Sequence, residues 1–164
     1  MRDVHAEGIH PHPGPKGKKP EQLIQFWSVN VQWGKGVWRA VEILCPDTDI
    51  LAFQEVKFDE EELRAFRVMM GRQGYNVYHQ KGDVTTNRLT GAMVRSGGLL
   101  TVVRKTLRQQ DEGGKSLVKA QILTTRIEKT VFMNCYCAPV NYGKINLAKM
   151  VGETMIEQDL DNFT

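Results

Sequence analysis

Apolar residues recur along this chain with two spacings, one near two residues and one near 3.6, and together they divide it into strands and helices. The first strand signal covers residues 23–32, where Leu23, Ile24, Phe26, Trp27, Val29 and Val31 are mostly β-branched or aromatic. Alternation places Ile24, Phe26, Ser28, Asn30 and Gln32 on one face, which turns from apolar to polar toward the carboxyl end. Val37, Ala40, Val41 and Leu44 then recur at helical spacing, and Cys45-Pro46 stops that helix. The next run, 50–57, is apolar through Phe53 and ends in Gln54, Glu55, Val56 and Lys57. A buried strand has little physical reason to finish on Gln-Glu unless those groups meet water, a metal or a polar ligand. Glu55 is therefore the first candidate for chemistry.

Downstream, Asp59 is placed to cap a second helix with Glu62 reaching back from its third position, and Leu63, Phe66 and Met70 form the inner stripe. The acidic run 59–62 is thus a helix start favoured by the helix dipole rather than a metal site. From Tyr75 onward the spacing predicts short strands at 75–79, 98–103, 117–127 and 130–136. Two polar, glycine-containing stretches, 81–96 and 109–114, read as loops, and Glu128-Lys129 as a tight hairpin connection. A last helix is expected over 145–163, with an apolar stripe through Leu147, Val151 and Met155 that shifts to Ile156, Leu160 and Phe163.

Residues 1–20 interrupt neither rhythm because they have none. His5, His10 and His12 sit there among prolines, glycines and lysines, too polar to offset ordering entropy, so the segment reads as a disordered lead-in to a single domain over 21–164. Of the formal net charge of +3, this segment supplies +2, so the remainder is nearly neutral and charge alone makes no case for nucleic acid. The three cysteines, Cys45, Cys135 and Cys137, lack the spacing and histidine partners of a zinc site and read as reduced thiols. No apolar run approaches the roughly 20 residues of a membrane span, and no signal-peptide core opens the chain. The expectation is an intracellular protein, cytoplasmic or nuclear, neither secreted nor membrane-bound.

Four short motifs, in order, resemble those of a known superfamily. They are Asn30-Val31-Gln32, Gln54-Glu55-Val56-Lys57, Gly97-Gly98-Leu99-Leu100 leading to Arg104, and Asn134-Cys135-Tyr136 followed by Ala138-Pro139. The chain resembles the N-terminal part of the endonuclease/exonuclease/phosphatase (DNase I-like) superfamily, nearest to abasic-site endonucleases and the endonuclease domains of non-LTR retrotransposons. The resemblance implies an α+β fold, an αββα sandwich of two sheets with helices outside, and Mg²⁺-dependent hydrolysis of phosphate esters, with Mn²⁺ as a substitute metal. It implies Glu55 as a direct metal ligand, Asn30 in the metal and phosphate network, and Tyr136 beside the scissile phosphate. Gln32 is a candidate neutral neighbour of the metal, and Asn141 and Lys57 are candidate substrate contacts. The chemistry of the residues agrees on Glu55, since Mg²⁺ wants hard oxygens, keeps several waters and commonly takes only one or two carboxylates.

This sequence also departs from the family pattern. Gln32 stands where some abasic endonucleases have Asp, and two residues rather than one separate Tyr136 from Pro139, so the strand holds an extra residue, as in a bulge, or Cys137 takes the tyrosine position. The family's Gly-Asp-x-Asn and Ser-Asp-His motifs are absent, and a closed sandwich of this kind needs roughly 200–250 residues. The expectation is therefore the first part of such a domain, mainly one mixed sheet with flanking helices and a bare apolar face, marginally stable and inactive alone. DNA is the expected substrate, with Arg88 and Arg95 in the polar stretch 81–96 suited to its backbone. The alternatives are a phosphatase of the same fold acting on small molecules or lipids, and a non-catalytic interaction module that keeps the scaffold.

Overall fold

A computed structural model describes residues 23–161 apart from 46, 88, 118–119 and 139–140. The expected lead-in with its three histidines, and Arg88, lie outside the described residues. The first strand, β1 (Phe26–Asn30), leads through a glycine-flanked turn into α1 (Gly34–Leu44), and β2 (Ile50–Gln54) follows. Next come α2 (Glu60–Arg72), β3 (Tyr75–Gln80), β4 (Asp83–Thr86), β5 (Met93–Ser96) and β6 (Leu99–Arg104). The chain continues through β7 (Gln109–Leu117), β8 (Ala120–Ile127), β9 (Thr130–Cys137) and α3 (Asn141–Asp161).

The larger sheet has the order β1-β2-β6-β3, with β1 and β2 parallel and the remaining pairs antiparallel, so it is mixed. Alternation along its strands gives it two apolar faces. Leu51, Phe53, Leu100, Val102 and Tyr75 pack against Val37 and Val41 of α1 and Leu63, Phe66 and Met70 of α2. The Asp59–Glu62 capping box forms as the sequence predicts, with Asp59 Oδ1 accepting from the Glu62 amide at 2.8 Å and Glu62 Oε2 from the Asp59 amide at 3.0 Å.

The opposite face, expected bare, is covered. Ile50, Val103 and Leu107 pack there with Ile127 and, at their margin, Tyr78 and Phe132. Ile127 and Phe132 belong to a second sheet, β7-β8-β9, all antiparallel, whereas Tyr78 lies on β3 of the mixed sheet itself. Its outer face, through Ala120 and Ile122, packs against Met150 of α3 with Leu147 and Val151 alongside. The fold is thus α+β, with α1 and α2, the mixed sheet, the second sheet and α3 packed in that order. No helix among the described residues is long and apolar enough to cross a membrane.

Four expectations about elements need correction. Residues 109–114 are not a loop but the start of β7, an edge strand that can be polar because one side of it faces water. Its register shifts between Asp111 and Gly113, where Gly113 takes φ 86°, so Glu112 is the extra residue of a bulge and meets Arg126 at 2.9 Å. The strand expected over 117–127 is therefore two strands, β7 ending at Leu117 and β8 opening at Ala120. Within the stretch expected as a loop, β4 and β5 pair as a hairpin, with the Asn87 amide donating to the Ala92 carbonyl at 2.8 Å. Finally, α3 begins at Asn141, and its buried stripe includes Met150 and Thr154 while Met155 is 53% exposed. The Thr154 hydroxyl donates to the Met150 carbonyl at 2.8 Å, which satisfies it inside the helix.

Candidate functional site

Parallel pairing of β1 with β2 puts their carboxyl ends at the same edge, with Asn30 opposite Gln54. β6 runs the other way, so its amino end and the preceding Gly97-Gly98 turn reach the same edge. The polar ends of β1 and β2 and the glycine turn that precedes β6 are thereby gathered in one place. Asn30 Nδ2 donates to Glu55 Oε1 at 3.0 Å, and Asn30 Oδ1 accepts from the Gln32 amide at 3.2 Å. The backbone is locked below them, since the Val31 amide donates to the Gln54 carbonyl and the Val56 amide to the Gly98 carbonyl, each at 3.0 Å.

Both Gln32 and Glu55 have φ 58°, a left-handed conformation that side chains with a Cβ adopt at some cost. At Glu55 this turns the chain sharply out of β2, so the carboxylate leaves the strand direction and meets Asn30. One carboxylate oxygen is held by that amide, and the other makes no hydrogen bond among the described residues. Gln32 contributes its backbone N–H to the site, while its side chain is exposed and makes no hydrogen bond to Glu55. Lys57 does not pair with Glu55 either; its ammonium lies 5.0 Å from the centroid of the Trp33 ring.

Gln54 points the other way, between the sheets. Its Nε2 donates to Ser28 Oγ at 3.1 Å and to Asn134 Oδ1 at 2.7 Å. Asn134, nearly buried on β9, completes the tie by donating from Nδ2 to the carbonyls of Phe53 at 3.1 Å and Leu100 at 2.9 Å. Sequence reasoning placed Asn134 only as a motif member and missed Gln121 altogether. Gln121 is fully buried, accepts from the Gly98 amide at 2.7 Å and donates to the Lys81 carbonyl at 2.9 Å. A completely buried glutamine inside an apolar strand is the signal that points to it, because such a side chain needs fixed partners.

Tyr136 sits opposite Gln121 in the β8–β9 pairing, on the face turned toward the mixed sheet, and its ring edge passes close to Gly97. The register runs unbroken from Ala120–Cys137 to Ile127–Thr130, without a bulge in β9. Cys137 therefore faces the opposite side and lines a groove with Leu147 and Val151 of α3. Burial, and secondarily the negative charge of Glu55, raise the pKa of Tyr136 above its usual value, so the phenol stays protonated and can donate a hydrogen bond at neutral pH. Gly97 and Gly98, at φ 74° and 90°, permit the close approach of all these groups. A Cβ on Gly98 would run into the Val56 carbonyl, and one on Gly97 into the Gln121 side chain. Asn141 opens α3, but its side chain lies outside the described residues.

The arrangement brings Asn30, Glu55 and Tyr136 to one edge and leaves Gln32 and Lys57 at its margin. Among the described residues no three acidic, histidine or cysteine side chains cluster. A single carboxylate with one oxygen free, beside a carboxamide and a protonated phenol, suits a hard cation that keeps most of its own waters. The same donor set is poor for zinc, which takes nitrogen and sulfur ligands in a closed shell. No protein-family model matches the chain, and neither does any curated protein.

Proposed function

We propose that this chain is the metal- and phosphate-holding part of a Mg²⁺-dependent phosphodiesterase with an αββα sandwich fold, a DNA endonuclease of the retrotransposon or abasic-site type. The observation that supports the reading is the Asn30–Glu55 pair, held at 3.0 Å at the joint end of two parallel strands, with Glu55 in a left-handed conformation. Strained backbone at a polar strand end is a feature that folding alone does not favour, and it recurs where a site needs a side chain aimed. The helix–sheet–sheet–helix packing supports the sandwich, and Tyr136 adds a phenol on the side where the resemblance puts the scissile phosphate.

In this reading Glu55 gives its free oxygen to the cation, and Asn30 holds the other so that the carboxylate cannot swing away. Bound there, Mg²⁺ or Mn²⁺ would polarise a phosphoryl oxygen and stabilise the leaving oxyanion. Tyr136, protonated, donates a hydrogen bond to a phosphate oxygen. Gln54 and Asn134 keep β2 and β9 in fixed relation, which sets the distance between carboxylate and phenol. Activation of the attacking water is assigned to no residue of these 164, because the sequence contains neither Gly-Asp-x-Asn nor Ser-Asp-His.

The test is Mg²⁺-dependent binding of a duplex oligonucleotide, followed by fluorescence anisotropy with inositol phosphates as competitors. Added Mg²⁺ tightens DNA binding to the wild-type chain and does not do so for Glu55→Gln. Equal Mg²⁺ response in both proteins overturns the assignment of Glu55. Displacement of DNA by inositol phosphates at lower concentration than by unlabelled DNA would instead favour a phosphatase.

A further inference from the structure

Next to the Asn30–Glu55 pair the surface opens into a groove of about 830 Å³. Trp33, Lys35, Lys57, Met93 and Arg95 line it, with Glu62 at its wall. Trp33 follows Asn30 by three residues and Lys57 follows Glu55 by two, so the groove begins where the candidate site ends. The Trp33 indole is 68% exposed, a large apolar surface to leave in water, and the Lys57 ammonium lies 5.0 Å from its centroid. Met93, 77% exposed on β5, faces the same opening.

Three cations meet one carboxylate in this lining, and the carboxylate is already engaged, since Glu62 accepts from the Asp59 amide in the α2 capping box. Arg95 uses one donor on the Phe58 carbonyl at 2.8 Å, which fixes the guanidinium while leaving its other N–H groups available. Exposed indole interleaved with cations is the chemistry that receives a nucleic-acid strand: a π-face for a base and positive charge for its phosphates. A base inside a duplex is already stacked on both sides, so only an unpaired nucleotide can use the indole.

We propose that this groove holds an unpaired nucleotide of a DNA strand, its base stacked on Trp33 and its flanking phosphates met by Lys35, Lys57 and Arg95. The proposal rests on the phosphodiester reading of the neighbouring site, and it adds what that site alone does not specify, a preference for single-stranded or locally opened DNA. The nucleotide in the groove lies next along the strand to the phosphate held at Glu55 and Tyr136.

The test measures binding of labelled oligothymidylate to the full 164-residue chain in EDTA, so that no metal contributes. Trp33→Ala weakens binding by about tenfold, whereas Trp33→Phe, which keeps a ring, retains most of it. An abasic deoxyribose-phosphate strand of equal length binds the wild-type chain as weakly as oligothymidylate binds Trp33→Ala. Lys57→Gln makes the salt dependence shallower by about 0.7 in the logarithmic slope, the share of one phosphate contact. Wild-type affinity in Trp33→Ala, equal binding of the abasic strand, no binding at all, or preferential binding of duplex each overturns the proposal. Tight Trp33-dependent binding in EDTA together with no Glu55-dependent metal response would sink the hydrolytic reading and leave the groove assignment standing.

Discussion

Gln32 and Glu55 both stand at φ 58°, one just past each of two neighbouring parallel strands. Glu55 gains a hydrogen bond from Asn30 there, but either Ala or Gly at this position would lose it, so the two substitutions differ mainly in backbone strain. Glu55→Gly is therefore expected to be more stable than Glu55→Ala by about 1 kcal/mol in urea unfolding. The opposite order would contradict the strained geometry. His79 is a second residue with a legible consequence. Burial first, then the nearby positive charges of Arg67 and Lys81, outweigh the opposing Glu60 and lower its pKa from 6.5 to about 4, and its Nε2 has no hydrogen-bond partner. The unfolded chain then takes up this proton before the folded one does, so the stability due to His79 is complete above pH 6.5 and is lost as pH falls toward 4. His79→Gln should flatten the stability profile over that window, and an unchanged slope would refute the assignment. Glu55 was readable in the sequence because an apolar run ended on a carboxylate. The left-handed backbone was not, because neither Gln32 nor Glu55 is a glycine and nothing local announces the turn.

Among the elements, β9 does the most to hold the site together. Asn134 reaches from the second sheet to two backbone carbonyls and one side-chain amide of the first, at 2.7 to 3.1 Å. Removing it strands those groups between the sheets, so Asn134→Ala should cost about 3 kcal/mol. If Glu55 is the proposed metal ligand, the same substitution lowers metal affinity by freeing Gln54 and the end of β2. A loss below about 1 kcal/mol in urea unfolding would show that water satisfies the stranded groups equally well. Helix α2 was legible in its cap and its stripe, since both are local signals. Strand β7 was not, because an edge strand needs little apolar surface, and Gln109 to Gly114 has a loop's composition. Helix α3 was legible as a helix, yet its buried line follows Leu147, Met150, Val151 and Thr154, a phase that a threonine obscures in a purely apolar count.

Over the whole molecule, the bare face was expected because the chain is short for a closed sandwich and lacks the family's later motifs. Reading β7 as a loop also left only two strands to cover Ile50 and Val103. The structure closes that face with Ile127 and Phe132, and α3 covers the far side. Exposure persists at β1, an edge strand whose Phe26 and Trp27 are 48% and 52% exposed on opposite faces. Phe26 meets Phe132 across the sheets, with ring centroids 5.9 Å apart. The order of the motifs could be read from the chain, whereas their meeting at one edge depends on strand order and direction, which are non-local. What the layered packing achieves is a fixed edge to which β1, the turn after β2, and β9 bring Asn30, Glu55 and Tyr136. The most direct probe of that edge is Mn²⁺ binding followed by electron paramagnetic resonance on the wild-type chain and on Glu55→Gln. One bound Mn²⁺ per chain, displaced by Mg²⁺ and lost in Glu55→Gln, is the expected result; no bound metal, or binding that survives the substitution, would contradict Glu55 as the ligand.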